Sequence, residues 1–75
     1  MIDVIHAVIH RNEGAYVAMC AEVAVVTQGG SLEEVVANLR EAIALHMEGE
    51  DLEELGVSSR ARLSVIYEIP DILHR

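Results

Sequence analysis

The chain has few of the residues that hold small domains together. It contains a single cysteine, Cys20, among 75 residues, so no intrachain disulfide can form. No cluster of cysteine and histidine has the spacing of a zinc site. Domains of this size bury only about 60% of the surface that their unfolded chains expose, so they usually need a further source of stability. We therefore expect one domain over residues 1–75, stabilised by homo-oligomerisation or by a partner protein.

Positive charge and aromatic rings are also scarce. Thirteen acidic residues stand against five basic residues, all of them arginines, which leaves a formal net charge of −8. Only two aromatic residues, Tyr16 and Tyr67, could stack on nucleic-acid bases. Nucleic-acid binding needs a basic surface, so this composition argues against it. Two explanations of the acidity remain open, namely solubility and attraction to a basic partner.

Targeting segments and long apolar runs are missing as well. The N-terminal MIDVIHAVIH has no basic region and is interrupted by acid and histidine, so it does not read as a signal peptide. No apolar run approaches about 20 residues, the length that spans a bilayer. These features favour a cytoplasmic protein without membrane contact.

The residues that are present predict four strands. β-Branched residues predict a first strand over 2–11 with apolar side chains on both faces, and RNEG has the chemistry of a hairpin turn. AYVAMC and EVAVVTQ, at 15–20 and 22–28, predict the second and third strands. RLSVIYEI, at 62–69, predicts the last strand, and EDLEELGV before it predicts a short helical turn.

SLEEVVANLREAIALHMEG predicts one amphipathic helix. Ser31 and Glu34 form an S-x-x-E capping box, and Gly49 is the expected C-terminal stop. One helix is roughly 10 Å wide and strands lie roughly 4.8 Å apart, so the helix covers about two strands. We predict an α+β fold of order β-β-β-α-β, with an antiparallel-type sheet, one main helix on one face and some apolar sheet surface uncovered. The apolar arc of the helix consists of Leu32, Val35, Val36, Leu39, Ala42, Ile43, His46 and Met47.

None of the reactive side chains forms a motif that supports an enzyme. His6 and His10 share a strand face, but four strand residues span about 13 Å, too far for one metal ion. His46 has no acid–base partner beside it in the sequence, and Cys20 has neither a basic neighbour nor a second cysteine. We therefore expect no catalytic residue, no cofactor and no metal.

Two further patterns are weak signals. The acidic run at 48–54 lacks the ligand spacing and central glycine of an EF-hand loop, so it is a solvated face or a docking patch for a basic protein. Gly29 and Gly30 precede the helix without the lysine of a phosphate-binding loop.

Most of the chain, GAYVAMCAEVAVVTQGGSLEEVVANLREAIALHMEG, resembles the core of the HicB-like antitoxin family. Members share a glycine-aromatic-valine-alanine strand, a Gln-Gly turn and a helix that begins Leu-Glu-Glu. The resemblance extends over nearly the whole chain. The matching positions are Gly14, Tyr16, Val17, Ala18, Glu22, Thr27, Gln28, Gly29, Leu32, Glu33, Glu34, Asn38, Leu39, Ala42 and Ile43.

This resemblance implies a truncated RNase H-like fold without nuclease activity, because the family lacks that fold's metal-binding carboxylates. It also implies a partner, a small basic HicA-like toxin that cleaves mRNA, and assembly into dimers or larger oligomers. The chain departs from the family at Ala21, Ala24 and His46, where proline, glycine and an aromatic residue are usual. Longer relatives carry a C-terminal DNA-binding segment that we do not expect here, so we expect no direct contact with nucleic acid.

Two functional hypotheses follow. The first is a HicB-like antitoxin domain, a non-enzymatic protein that neutralises a small basic toxin through Glu22, Glu50, Asp51 and Glu53. The alternative is an orphan homo-oligomeric HicB-like protein of structural or unknown role, without a cognate toxin. A small hydrolase that uses a histidine is a third class, and no acid–base pair in the sequence supports it.

Overall fold

The computed structural model describes residues 1–70 and 72–73, apart from the side chain of Glu53. The four strands form one sheet in the order β3-β2-β1-β4. The predicted α+β class and the order β-β-β-α-β are confirmed, with one short helix before the last strand. The elements are β1 (Ile2–Asn12), β2 (Ala15–Cys20), β3 (Val26–Gly29), α1 (Leu32–Met47), α2 (Leu52–Leu55) and β4 (Val57–Glu68).

The sheet is mixed, which corrects the prediction of an antiparallel-type sheet. β1 and β2 are antiparallel, as are β2 and β3, but β1 and β4 run parallel. The reason is α1, which returns the chain across the sheet so that β4 enters it in the direction of β1. The β1–β4 register holds from Val4–Arg62 to His10–Glu68, and it shifts at Asp3, which lies opposite the whole segment 58–61.

The third strand is shorter than EVAVVTQ predicts. β3 begins only at Val26, and residues 21–25 form a bend before it. Within this bend the N–H of Cys20 donates to the carbonyl of Val25 at 3.0 Å, and the N–H of Val25 donates to the carbonyl of Val23 at 2.8 Å. These local hydrogen bonds occupy backbone groups that would otherwise pair β3 with β2, so β3 does not extend back to Glu22. β2 matches its prediction, whereas β4 begins five residues before the predicted strand, at Val57.

The ends of α1 lie where local chemistry predicts them. The Oγ atom of Ser31 accepts a hydrogen bond from the N–H of Glu34 at 3.0 Å, which satisfies one of the free amides of the first turn. Gly49 follows the last turn with a φ of +78°, a conformation that favours glycine. Both ends are therefore encoded within a few residues of the sequence.

The apolar arc of α1 is most deeply buried at Val35 and Leu39, whereas Leu32 at its start is 38% exposed. Val35 and Leu39 are fully buried, Ile43 is half-buried and His46 is exposed to solvent. The helix lies over β2 and β3, so it covers two strands as expected. Leu45, on the flank of the helix, is 61% exposed.

The helix lies very close to the sheet at Gly29. A Cβ atom at this position would lie 2.6 Å from the backbone nitrogen of Val35 and 2.9 Å from its Cα atom. Such distances exclude a side chain, so glycine is what allows α1 and β3 to touch.

The core lies between α1 and the side of the sheet that faces it. Tyr16 and Tyr67 pack against this core, with ring centroids 5.9 Å apart and planes tilted by 60°. The guanidinium carbon of Arg11 lies 5.8 Å from the centroid of the Tyr16 ring. Both aromatic rings therefore serve packing on the helix side of the sheet. The buried cluster consists of Ala7, Ile9, Ala18, Val25, Val35 and Leu39.

Candidate protein-binding surface

Glu22 is held by an intramolecular contact. Its Oε1 atom accepts the backbone N–H of His6 at 2.6 Å, and its Oε2 atom lies 2.5 Å from the ring Nδ1 of the same histidine. The ladder of β1 and β2 ends at Ala7 and Cys20, and one further backbone bond joins the N–H of Ala21 to the carbonyl of His6 at 2.9 Å before the chain bends away. The Glu22 carboxylate thus accepts the backbone N–H of His6, which would have bonded to the next residues of β2 if that strand had continued.

This contact also changes the acidity of Glu22. The backbone N–H of His6, followed by its imidazole, holds the pKa of the Glu22 carboxyl below its ordinary value. The carboxylate therefore stays ionised to lower pH than an isolated glutamate, and both of its oxygens are engaged with His6.

The other predicted contact residues lie on different elements. Glu50 and Asp51 are exposed in the connection between α1 and α2. The N–H of Glu50 donates to the carbonyl of Met47 at 3.1 Å, and the carbonyl of Asp51 accepts the N–H of Leu55 at 3.2 Å. The connection is thus held in part by backbone hydrogen bonds. The side chain of Glu53 lies outside the described residues.

Acidic residues concentrate on the exterior of α1 and on the connection that follows it. We call this region the acidic helical surface, and all of its members are exposed. None of these residues belongs to the buried core cluster, so their replacement leaves the core side chains in place. The surface consists of Glu33, Glu34, Glu41, Glu48, Glu50 and Asp51.

The side of the sheet opposite α1 is partly apolar. We call it the open face. The strand registers align Val26, Met19, Val8 and Ile66 in one row across all four strands. Three of these side chains are strongly exposed: Met19 at 49%, Ile66 at 54% and Val26 at 66%. This row is the uncovered apolar surface that the sequence predicts.

Polar groups flank the apolar row on the open face. His10 lies in register with Val17 on β2 and Glu68 on β4. His6 lies on the other side of the row, in register with Ser64, and its ring is in contact with Glu22. The two histidines thus have separate neighbours, as their spacing along the strand predicts.

Cys20 lies on the helix side of the sheet and is half-buried. Burial raises the pKa of its thiol, and the negative charge of Glu22 raises it further. A higher pKa disfavours the thiolate, which is the nucleophilic form. The environment therefore matches that of a small packed side chain.

Two shallow depressions lie beside α1. The first, at the start of the helix, is lined by Gly29, Gly30 and Glu34, and a carboxylate there disfavours a bound phosphate. The second lies between α1 and the first part of β4, with Arg40 and Ile43 on the helix side. Neither depression contains a histidine or a cysteine.

The contact between Glu22 and His6 and the shift at Asp3 escape prediction from the sequence. Both depend on how distant strands pair, and no local spacing signals them. The acidic helical surface, by contrast, is visible in the sequence, because helical periodicity alone places Glu34, Glu41 and Glu48 opposite the apolar arc.

Neither protein-family models, nor curated proteins, nor solved structures give a match to this chain. None of the helices within residues 1–70 and 72–73 has the length and apolar content that a membrane crossing requires. In the same part of the chain, no three histidine, cysteine, aspartate or glutamate side chains are grouped as a metal site would need.

Proposed function

We propose that this chain is a cytoplasmic HicB-like antitoxin domain, a non-enzymatic protein that binds and neutralises a small basic mRNA-cleaving toxin. The observation that carries the proposal is the acidic helical surface, which gathers exposed carboxylates on one side of a chain with a net charge of −8. An RNA-cleaving protein needs positive charge where it holds RNA phosphates, so such a surface complements it.

The proposed mechanism is steric and electrostatic occlusion. The acidic helical surface docks on the basic RNA site of the toxin, competes with the phosphates for the same cations and blocks the approach of mRNA. The order β-β-β-α-β supports the resemblance on which the proposal rests. The truncated RNase H-like assignment is part of the same proposal.

Glu50 and Asp51 are the best residues with which to test this mechanism. Both are exposed and lie in the α1–α2 connection, outside the core. Glu22 remains a predicted contact, but its replacement also breaks the bonds to His6, so a loss of binding there would have two causes. Glu53 remains a prediction as well.

Reversing both charges with Glu50→Arg and Asp51→Arg should slow association with the toxin by about tenfold, because charge complementarity acts mainly on encounter rates. Where a neighbouring gene encodes a short basic protein, that protein, once purified, is the probe. Stopped-flow mixing measures association, and cleavage of a labelled RNA measures inhibition.

The matched control is Asp3→Arg with Glu13→Arg, two exposed positions outside the acidic helical surface that change the net charge by the same amount. The control should associate faster than the test variant. Equal slowing of both variants would show that only net charge matters. Failure of the wild-type chain to inhibit cleavage would overturn the antitoxin proposal.

The alternative function, a homo-oligomer without a toxin, is favoured by the exposed apolar row of the open face. Co-purification from the native source separates the two. A stoichiometric basic partner supports the antitoxin, and oligomers of this chain alone across several growth conditions support the alternative.

A further inference from the structure

The sheet has two edges of very different length. β3 forms one edge and has only four residues, Val26–Gly29. β4 forms the other edge and has twelve, Val57–Glu68. An edge strand presents a row of backbone N–H and C=O groups that can pair with another chain, and short strands limit this risk. β4 is therefore the edge at which pairing can occur.

Only part of β4 is suited to pairing. The register shift opposite Asp3 interrupts the regular pairing of the segment 58–61 with β1. Pro70 follows the end of the strand. Bulges and prolines are features that protect edges from pairing. Between them, the segment 62–68 keeps regular register with β1 and contains neither proline nor glycine. A regular segment of seven residues is thus left at the edge.

Apolar side chains are exposed on both faces of this segment. Val65, on the helix side, is 37% exposed although its register partner Ala7 is fully buried, because α1 lies over β2 and β3 instead of β4. Ile66, on the open face, is 54% exposed. A partner that covers both side chains has to lie beside the strand.

The charges of β4 indicate what this partner is. Arg62 and Glu68 are both exposed, alternate onto the same side of β4 and are placed symmetrically about Val65. If β4 pairs antiparallel with β4 of a second copy about a two-fold axis at Val65, each Arg62 lies opposite Glu68 of the other copy. Opposite charges in this position stabilise a strand pair. The same register places Leu63 opposite Tyr67 on the helix side.

We propose that β4 pairs with β4 of a second copy in this register, which joins the two sheets into one of eight strands. The chain is less compact than most domains of its length: its Cα radius of gyration is 13.7 Å, whereas a compact domain has about 11 Å. This proposal concerns the protein alone and does not rest on the antitoxin proposal.

Charge reversal tests the register. Arg62→Glu alone and Glu68→Arg alone each place like charges opposite one another twice in the symmetric dimer, so each should raise the dissociation constant about tenfold. The double variant carrying both changes restores opposite charges and should return to near the wild-type value. Sedimentation equilibrium over a range of protein concentrations measures all three.

The matched control is Arg60→Glu, which changes the charge equally at an exposed position outside the regular segment. Its dissociation constant should stay within about twofold of the wild-type value. Circular dichroism confirms that each variant keeps its fold.

A cysteine placed at the two-fold axis gives an independent measurement. In a background of Cys20→Ala, Val65→Cys should form an intermolecular disulfide under mild oxidation, because directly opposed residues have Cα atoms about 5 Å apart. Ile69→Cys is the control, since two copies of residue 69 would lie about 26 Å apart in this register.

Three results would overturn the proposal: a wild-type chain that sediments as a monomer at every accessible concentration, single reversals that the double variant does not rescue, or equal cross-linking at positions 65 and 69. The last two would point to association through the open face.

Discussion

At the scale of single residues, Glu22 shows what local pattern cannot reveal. Its charge suggests a contact for a basic partner, yet the structure joins it to His6, sixteen residues earlier. The contact lies where the ladder of β1 and β2 ends and the bend begins. Neither helical nor strand periodicity connects residues so far apart, so the sequence predicts the charge of Glu22 but not its surroundings.

The first prediction concerns the dependence of stability on pH. Glu22→Gln should lower the melting temperature near pH 7 and have much less effect near pH 3. The folded-state pKa of Glu22 lies below the ordinary value of 4.5, so its contribution to stability is present above that pH. The contribution is lost as the pH falls through the lower folded value. Thermal unfolding followed by circular dichroism at both pH values measures the difference.

The control for this prediction is Glu41→Gln, which removes an exposed carboxylate of α1. It should not show the same change between the two pH values. An effect of Glu22→Gln that is equally large at both would mean that the lost charge has no role.

At the scale of elements, the helix and strand limits that depend on neighbouring residues could be predicted from the sequence. The features that depend on how strands pair could not. The limits of α1 follow from Ser31 and Gly49, and β2 follows from the run of six apolar residues after the RNEG turn. The start of β3 depends on the bonds inside the bend at 21–25. The direction of β4 relative to β1 depends on the path of α1, which alternation along a strand does not encode.

The second prediction tests the contact between α1 and β3. Gly29→Ala should reduce the free energy of unfolding by about 1–3 kcal/mol, because the new Cβ atom would overlap the backbone at Val35 and force the helix away. Urea unfolding followed by circular dichroism measures the change.

Gly30→Ala is the matched control. A Cβ atom there would meet only the Oε2 atom of Glu34, at 3.7 Å, so the stability should change much less. Equal losses for the two variants would show that flexibility of the glycine pair, rather than close packing at Gly29, is what matters.

At the scale of the whole molecule, charge and apolar surface lie on different sides. The acidic helical surface is on the side of α1, and the apolar row lies on the open face. The sequence predicts both features, since the excess of acid and the two apolar faces of β1 are visible in it. The sequence does not predict that β4 is left beside α1 rather than beneath it, because this depends on which strands α1 covers.

The third prediction concerns salt. The melting temperature should rise as ionic strength increases from about 0.01 M to about 0.15 M, because the screening length falls from about 30 Å to about 8 Å. At the lower salt concentration, charges repel one another across most of a molecule whose shorter extents are 21 and 16 Å. Measurements at one fixed protein concentration keep the association state comparable.

A variant in which Glu41, Glu48 and Glu50 are replaced by glutamine is the control, because it has less self-repulsion to screen. It should respond more weakly to salt. A melting temperature that falls with salt in the wild-type chain would mean that attractive ion pairs outweigh the repulsion.

The pairing of β1 with β4 has a consequence for how the chain folds as it leaves the ribosome. Ile9 in β1 pairs with Tyr67 in β4. The edge of β1 that faces β4 in the folded sheet therefore has no partner strand until β4 has been synthesised. At about 5–20 residues per second this takes several seconds, whereas a hairpin such as β1–β2 forms within about 10 μs. The nascent chain therefore carries a bare apolar hairpin throughout that interval, which is the kind of segment that molecular chaperones bind.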